Sequence, residues 1–218
     1  MKEELKLIQY AGNPGKKFDL GFMSLENAKR VQRFHASFPM YRETPLTELK
    51  ETAGAVTGFF ASVYGEDRPV ITIVEPNKAD CVFRTAEAAD GKLHFVTGEM
   101  NTIMARLACG EPCSIGWNVL RDYADNFISC PDYMAAQGMR ILGSPVQGDP
   151  RVVSGESGAA AFGCVSEIMR DPKYADVRKK LGLNQDSRVL FFSTEGDTDQ
   201  ENYRSIVWDG AYPGDSKR

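Results

Sequence analysis

A chain of 218 residues, 42% hydrophobic and 26% charged, has the balance of a soluble globular protein with a core to bury, as one domain or one and a half. Its formal charge of -4 is spread in interleaved signs, so neither a nucleic-acid backbone nor an anionic membrane surface is an expected partner. No apolar run approaches the roughly 20 residues that cross a bilayer, residues 1–10 carry no signal-peptide core, and a cytoplasmic protein is expected.

In chain order, Ser24 is placed to cap a helix over residues 25–36, in which Ala28, Val31 and Phe34 recur at helical spacing while Lys29, Arg30 and Arg33 face water. Pro39, Arg42, Thr44 and Pro45 then impose an extended segment, and Thr47 is a candidate cap for a helix over 48–64, interrupted by Gly54 and Gly58. Residues 69–74 are apolar on both faces and β-branched, as in a buried parallel strand. Helical stretches are predicted over 79–86, 101–108, 117–124 and 133–142, with a short strand over 127–129. Residues 150–155 read as a strand or turn entry, 159–169 as a small-residue helix packed closely on a neighbour, 174–180 as a surface helix, and 188–193 as a last buried strand. The tail 209–218 is expected to fray. Such alternation defines an α/β chain with ligand sites at the carboxyl ends of strands.

Two glycine- and hydroxyl-rich turns carry the candidate chemistry. Val153-Ser-Gly-Glu-Ser-Gly-Ala159 lies between an apolar run and a helix; it either offers N–H groups and hydroxyls to an anion or polar ligand edge, or serves as a tight turn that lets helix and strand pack closely. Ser193-Thr-Glu-Gly-Asp-Thr198 follows a predicted strand and reads as a ligand loop or as a capped turn in which Asp197 or Thr198 starts a short helix. Glu75-Pro76 holds the same position after another strand. Five cysteines without a secretory signal argue for buried thiols, and Cys109 and Cys113 lack the second ligand pair of a zinc site, so no metal is expected. His35 and His94 stand alone and read as surface or structural, Met100, Met104 and Leu107 as core packing, and Trp117 and Trp208 as partly buried anchors.

Six strings go beyond generic patterning: Tyr41-Arg-Glu-Thr-Pro-Leu46, Ile73-Val-Glu-Pro-Asn-Lys-Ala-Asp-Cys81, Thr102-Ile-Met-Ala-Arg-Leu-Ala-Cys-Gly-Glu-Pro112, Phe127-Ile-Ser-Cys130, Ser154-Gly-Glu-Ser-Gly-Ala159 and Ser193-Thr-Glu-Gly-Asp-Thr-Asp199. In this order they resemble diaminopropionate ammonia-lyase, a fold-type-II pyridoxal-phosphate enzyme related to threonine dehydratase. The resemblance implies a three-layer α/β fold with a mostly parallel sheet flanked by helices, pyridoxal 5'-phosphate as cofactor, a homodimer, and α,β-elimination of 2,3-diaminopropionate to pyruvate and ammonia. It also implies a gap: the Thr-Pro-Leu segment runs through Leu46-Thr-Glu-Leu-Lys-Glu-Thr52 straight into Ala53-Gly-Ala-Val-Thr-Gly-Phe-Phe60, which is similar to the helix after the family's phosphate loop. Residues 1–52 then correspond to an N-terminal segment of the large domain and 53–218 to its C-terminal part, with the small domain and the Schiff-base lysine absent. None of Lys50, Lys78, Lys92, Lys179 or Lys180 has the apolar setting that a Schiff-base amine needs. No catalytic residue is therefore carried over. Thr194, with Ser193, matches the hydroxyl that relatives place against the cofactor's ring nitrogen; Glu156 and Ser157 match a turn lining the same pocket; Gly54 and Ala55 adjoin the phosphate-loop remnant; and Cys81 and Cys109 match a pair that can be bridged. The resemblance leaves two readings: a family member unable to turn over substrate by itself, or a non-catalytic fragment that keeps a dimerisation or small-ligand role.

Overall fold

The computed structural model describes residues 4–12, 15–36 and 49–214. Its elements in chain order are β1 (Lys6–Gln9), α1 (Leu25–Ala36), α2 (Leu49–Tyr64), β2 (Thr72–Pro76), α3 (Cys81–Ala88), α4 (Ser114–Tyr123), β3 (Asn126–Cys130), α5 (Asp132–Gly143), α6 (Glu156–Arg170), α7 (Ala175–Lys180) and α8 (Gln200–Val207). Short 3-10 turns occupy Gly21–Met23, Gly65–Asp67, Ala105–Leu107 and Pro172–Tyr174. The extended segment around Pro39 to Pro45 and the Thr47 cap lie outside the described residues.

Three strands form one mixed sheet in the order β1-β3-β2. β2 runs parallel to β3 with Ile73 opposite Phe127, and β1 closes the other edge antiparallel with Leu7 opposite Ile128. Every residue of β3 is buried, because its alternate side chains enter cores on opposite faces of the sheet. Ile128 packs with Met104, Met134, Ala160, Cys164 and Ile168, drawn largely from α5 and α6. Phe127 packs with Phe83 of α3 and with Trp117 and Leu120 of α4, and the Tyr10 ring meets it edge-on at 5.6 Å. Helix, sheet and helix thus make the three layers, with the sheet small and half antiparallel.

The predicted helices 25–36, 48–64, 79–86, 117–124, 133–142, 159–169 and 174–180 form, most of them shifted or extended by a few residues. Ser24 caps α1 by accepting the Asn27 N–H at 3.2 Å. Ala28 is exposed, contrary to its expected inward face. α2 passes through Thr52, Ala53 and Gly54 without a break, with Gly54 against the backbone of Gly116 in α4.

Four expectations are corrected. Residues 101–108 form only the turn Ala105–Leu107, because Thr102 is tied to Asp132 and Ile103 N–H also donates to that carboxylate at 3.3 Å, which draws the chain off a helical path. Residues 188–193 form no strand among the described residues, leaving Val189, Leu190 and Phe192 exposed: a strand's pattern forms a strand only where a neighbour supplies the ladder. Trp208 is 74% exposed, against 8% for Trp117, and lies under Arg204 at 5.6 Å instead of in the core. Residues 209–212 do not fray, since the Arg140 guanidinium donates to Ala211 O at 2.9 Å and Tyr212 O at 3.1 Å; residues 215–218 lie outside the described residues.

α8 starts where Asp199, not Asp197 or Thr198, accepts the Asn202 N–H at 3.0 Å. Its inward face is Tyr203 and Ile206, packed on Met139 and Ala159. Asp199→Ala removes an N-cap and is expected to lower stability by about 1 kcal/mol, read as a shift in the urea midpoint with an unchanged m-value.

Candidate functional site

α6 places its first turn directly under the segment 193–196. Ser154, Glu156 and Ser157 are buried, at 1%, 8% and 7% exposure, so their polar atoms must find partners inside the protein. The hydroxyls of Ser154 and Ser193 share a hydrogen bond of 2.7 Å. Gly155 N–H donates to the Glu195 carbonyl at 3.0 Å, and Ser157 N–H donates to Glu195 Oε2, also at 3.0 Å. Gly155 has to be glycine: a Cβ there would lie 2.5 Å from the Gly196 carbonyl and 2.7 Å from Glu195 Cγ.

Arg106, on the turn Ala105–Leu107, completes the cluster. Its Nε donates to Glu195 Oε1 at 2.7 Å and its backbone N–H donates to Ser157 Oγ at 3.2 Å. The Glu156 carboxylate accepts from Asn202 Nδ2 of α8. Burial pushes the Glu156 carboxyl above its ordinary value, the Glu195 charge adds to the rise, and hydrogen bonds from its own backbone N–H and from Asn202 oppose it.

Between these anchored neighbours, Thr194 holds a buried hydroxyl oxygen with no hydrogen-bond partner. An orphaned hydroxyl is costly unless a ligand satisfies it. The structure therefore brings together Ser193, Thr194, Glu156 and Ser157, four of the residues singled out from sequence. It does not bring Gly54 and Ala55 to them by any hydrogen bond. Both lie in the second turn of α2, where backbone N–H groups are committed to helical carbonyls. Arg106, Glu195 and Asn202 complete the cluster without having been singled out; Arg106 and Glu195 each lay inside a flagged string, but nothing in the sequence links this arginine to a carboxylate 89 residues away.

Elsewhere, Cys81 and Cys109 are free thiols on adjoining backbone, joined by a parallel bridge between Asp80 and Cys109. Burial pushes the Cys81 thiol far up. Cys113 caps α4 by accepting the Gly116 N–H, and among the described residues no group of three or more His, Cys, Asp or Glu is placed to hold a metal. His94 lies near the surface against Asp90 at 3.1 Å. No helix among the described residues is long and apolar enough to cross a membrane.

No family model matches the chain. Comparison with solved structures does place the fold. Threonine deaminase isoform 2 of Solanum lycopersicum superposes with a TM-score of 0.56 over 71% of this chain and 37% of its own, at 13% identity, which speaks for the fold alone. The chain thus has the fold of part of a fold-type-II pyridoxal-phosphate enzyme. Diaminopropionate ammonia-lyase of Escherichia coli, captured with an aminoacrylate–PLP azomethine reaction intermediate, superposes with a TM-score of 0.68 at 40% identity, covering 88% of this chain and 48% of that one. Curated diaminopropionate ammonia-lyase of Escherichia coli K12 is 48% identical over 160 residues, 73% of this chain. The matched stretch is about 40% of that relative's length, and the chain is a partial homologue of the diaminopropionate ammonia-lyases.

Proposed function

We propose that the chain is the part of a diaminopropionate ammonia-lyase large domain that receives the ring of pyridoxal phosphate, and that by itself it does not release pyruvate from 2,3-diaminopropionate. The observation that carries this reading is the buried, unpartnered Thr194 hydroxyl, held between two anchored neighbours. The orphaned donor fits the cofactor's pyridine nitrogen. When bound, pyridoxal phosphate supplies an aldehyde that takes up the substrate's amine and a ring that accepts electrons during elimination. Thr194 would donate a hydrogen bond to the ring nitrogen, which would stay unprotonated and uncharged. Ser193 holds the segment 193–196 through Ser154, and Glu156 and Ser157 line the same turn. By the family resemblance Gly54 and Ala55 would adjoin the phosphate end of the cofactor, although within α2 they make no hydrogen bond to the cluster around Thr194.

Covalent capture requires a desolvated amine beside the aldehyde, and the cation that meets this cluster is the guanidinium of Arg106. Lys78 is committed to Asp132 at 2.9 Å. Residues 1–52 and 53–218 are two pieces of one large domain with the small domain missing between them; the match to 73% of this chain but only 40% of the curated relative supports the reading. Exposed Phe59, Val63, Tyr64, Leu190 and Phe192 support pairing as a homodimer, the interleaved charge supports a chain without nucleic-acid or membrane partners, and a cytoplasmic location is part of the same proposal. The Cys81–Cys109 bridge belongs to the same proposal, supported by the adjoining backbone, and a loss of two hydrogens in the intact mass under oxidised glutathione tests it.

Incubation with pyridoxal phosphate and 2,3-diaminopropionate is expected to yield no pyruvate above the cofactor-only background. Titration with pyridoxal phosphate is expected to show saturable, borohydride-insensitive binding, weakened about tenfold in Thr194→Val by loss of one hydrogen bond. Pyruvate production, or a lysine labelled on borohydride reduction, would refute the proposal.

A further inference from the structure

We infer that Arg106 and Glu195 form a latch that positions the Thr194 hydroxyl for the cofactor ring, an inference that rests on the cofactor reading above. A residue at a strand's carboxyl end is normally held by the ladder of its own strand. Here residues 188–193 belong to no ladder among the described elements, so backbone pairing along that stretch does not hold Thr194. Its placement depends instead on what grips the residues on either side. Ser193 is gripped by one hydroxyl contact with Ser154. Glu195 is gripped at three points: its carbonyl takes Gly155 N–H, one carboxylate oxygen takes Ser157 N–H, and the other takes Arg106 Nε.

The Glu195 side chain is only 6% exposed while that of Arg106 is 40% exposed. The carboxylate is therefore the buried member, and the arginine closes it from the solvent side. Charge-assisted hydrogen bonds of this kind are directional and short, which suits a positioning role. The groups facing the Glu195 carboxylate are the Arg106 guanidinium and the first-turn N–H of Ser157, both donating to it, with the Glu156 carboxyl nearby. Arg106 also binds Ser157 through its own N–H, so the turn Ala105–Leu107, the start of α6 and the segment 193–196 are tied to one another. Neither Arg106 nor Glu195 touches the ring in this scheme; both are positioning residues acting through Thr194.

A double-mutant cycle on pyridoxal phosphate affinity tests the latch, with each variant's melting curve recorded to establish folding. Glu195→Gln and Arg106→Gln are each expected to weaken binding about tenfold in the parent chain, the scale of one charged hydrogen bond, and Arg106→Lys to recover most of that loss. In a Thr194→Val background the same changes are expected to cost almost nothing more, because the group they position is gone. Arg106 is the more exposed partner, so its variants report even if Glu195→Gln fails to fold. Losses that add in full in the Thr194→Val background, or unaltered affinity in a folded Arg106→Gln, would overturn the latch and leave the cofactor reading standing. A parent chain that binds no pyridoxal phosphate would overturn both.

Discussion

Gly163→Ala is expected to destabilise the protein by more than about 3 kcal/mol, at the upper end of overpacking effects. A glycine-to-alanine change inside a helix ordinarily stabilises by about 1 kcal/mol, so the expected sign is the reverse of the helix-propensity rule. The reason is the crossing of α5 and α6. A Cβ on Gly163 would lie 1.9 Å from the Met134 carbonyl oxygen and 3.0 Å from the Gly138 nitrogen, and a Cβ on Gly138 would lie 2.4 Å from the Ala159 carbonyl. These neighbours are backbone, so no rotamer change relieves the overlap. The two helices would have to part, opening the core around Met134, Ala160 and Cys164 on one face of the sheet. Equilibrium unfolding in urea reads the effect, and a variant as stable as the parent would show that this close crossing does not exist in solution.

Stability is expected to fall as pH rises from about 4.5 to about 7, the interval set by Glu75. Its carboxylate lies at the carboxyl end of β2 and accepts the N–H groups of Val82 at 3.1 Å and Phe83 at 2.7 Å in the first turn of α3. Burial outweighs those two donors and pushes the carboxyl up to about 7, with the nearby Asp80 charge adding to the rise. A carboxyl whose folded value lies above its unfolded value binds its proton more tightly when folded. Its stabilisation is therefore complete below the unfolded value and is lost as pH passes through the folded one. The loss is about 2 to 3 kcal/mol across the interval, since each tenfold difference in proton affinity between the folded and unfolded chains corresponds to roughly 1.4 kcal/mol. Glu156, also raised by burial, contributes with the same sign. Asp90 and Asp171 are held below their ordinary 3.8, so their opposite contributions are complete before this interval begins. Glu75→Gln is expected to flatten the slope between pH 5 and 7 in denaturant titrations; an unchanged slope would remove Glu75 as its source.

The candidate site was legible in halves. The turn at Ser154 to Ser157 and the run at Ser193 to Thr198 each stood out by composition, since hydroxyls and glycines at a helix start or a strand end have few other uses. That the two face each other, with Ser154 against Ser193 and Ser157 against Glu195, follows from the way α6 packs across the sheet. Arg106 was hidden for a plainer reason: its residues read as a helical stripe around Met104, and the segment became a single 3-10 turn only because Asp132 took its hydrogen bonds.

The same division holds for the fold. Helices with an apolar stripe, such as α4 and α5, and the apolar strands β2 and β3 were set by local periodicity, which depends on the sequence alone. β1 escaped notice because four residues of Lys-Leu-Ile-Gln carry too short a pattern, and they become a strand only through pairing with β3. Residues 188–193 fail in the opposite sense: their pattern suits a strand, but no partner among the described residues lies alongside to complete one. Hydrophobic spacing and turn chemistry are properties of neighbouring residues and were written in the sequence. Ladder partners, the closeness of α5 to α6 and the grip of Arg106 on Glu195 join residues far apart in the chain, and only the packed tertiary structure decided them.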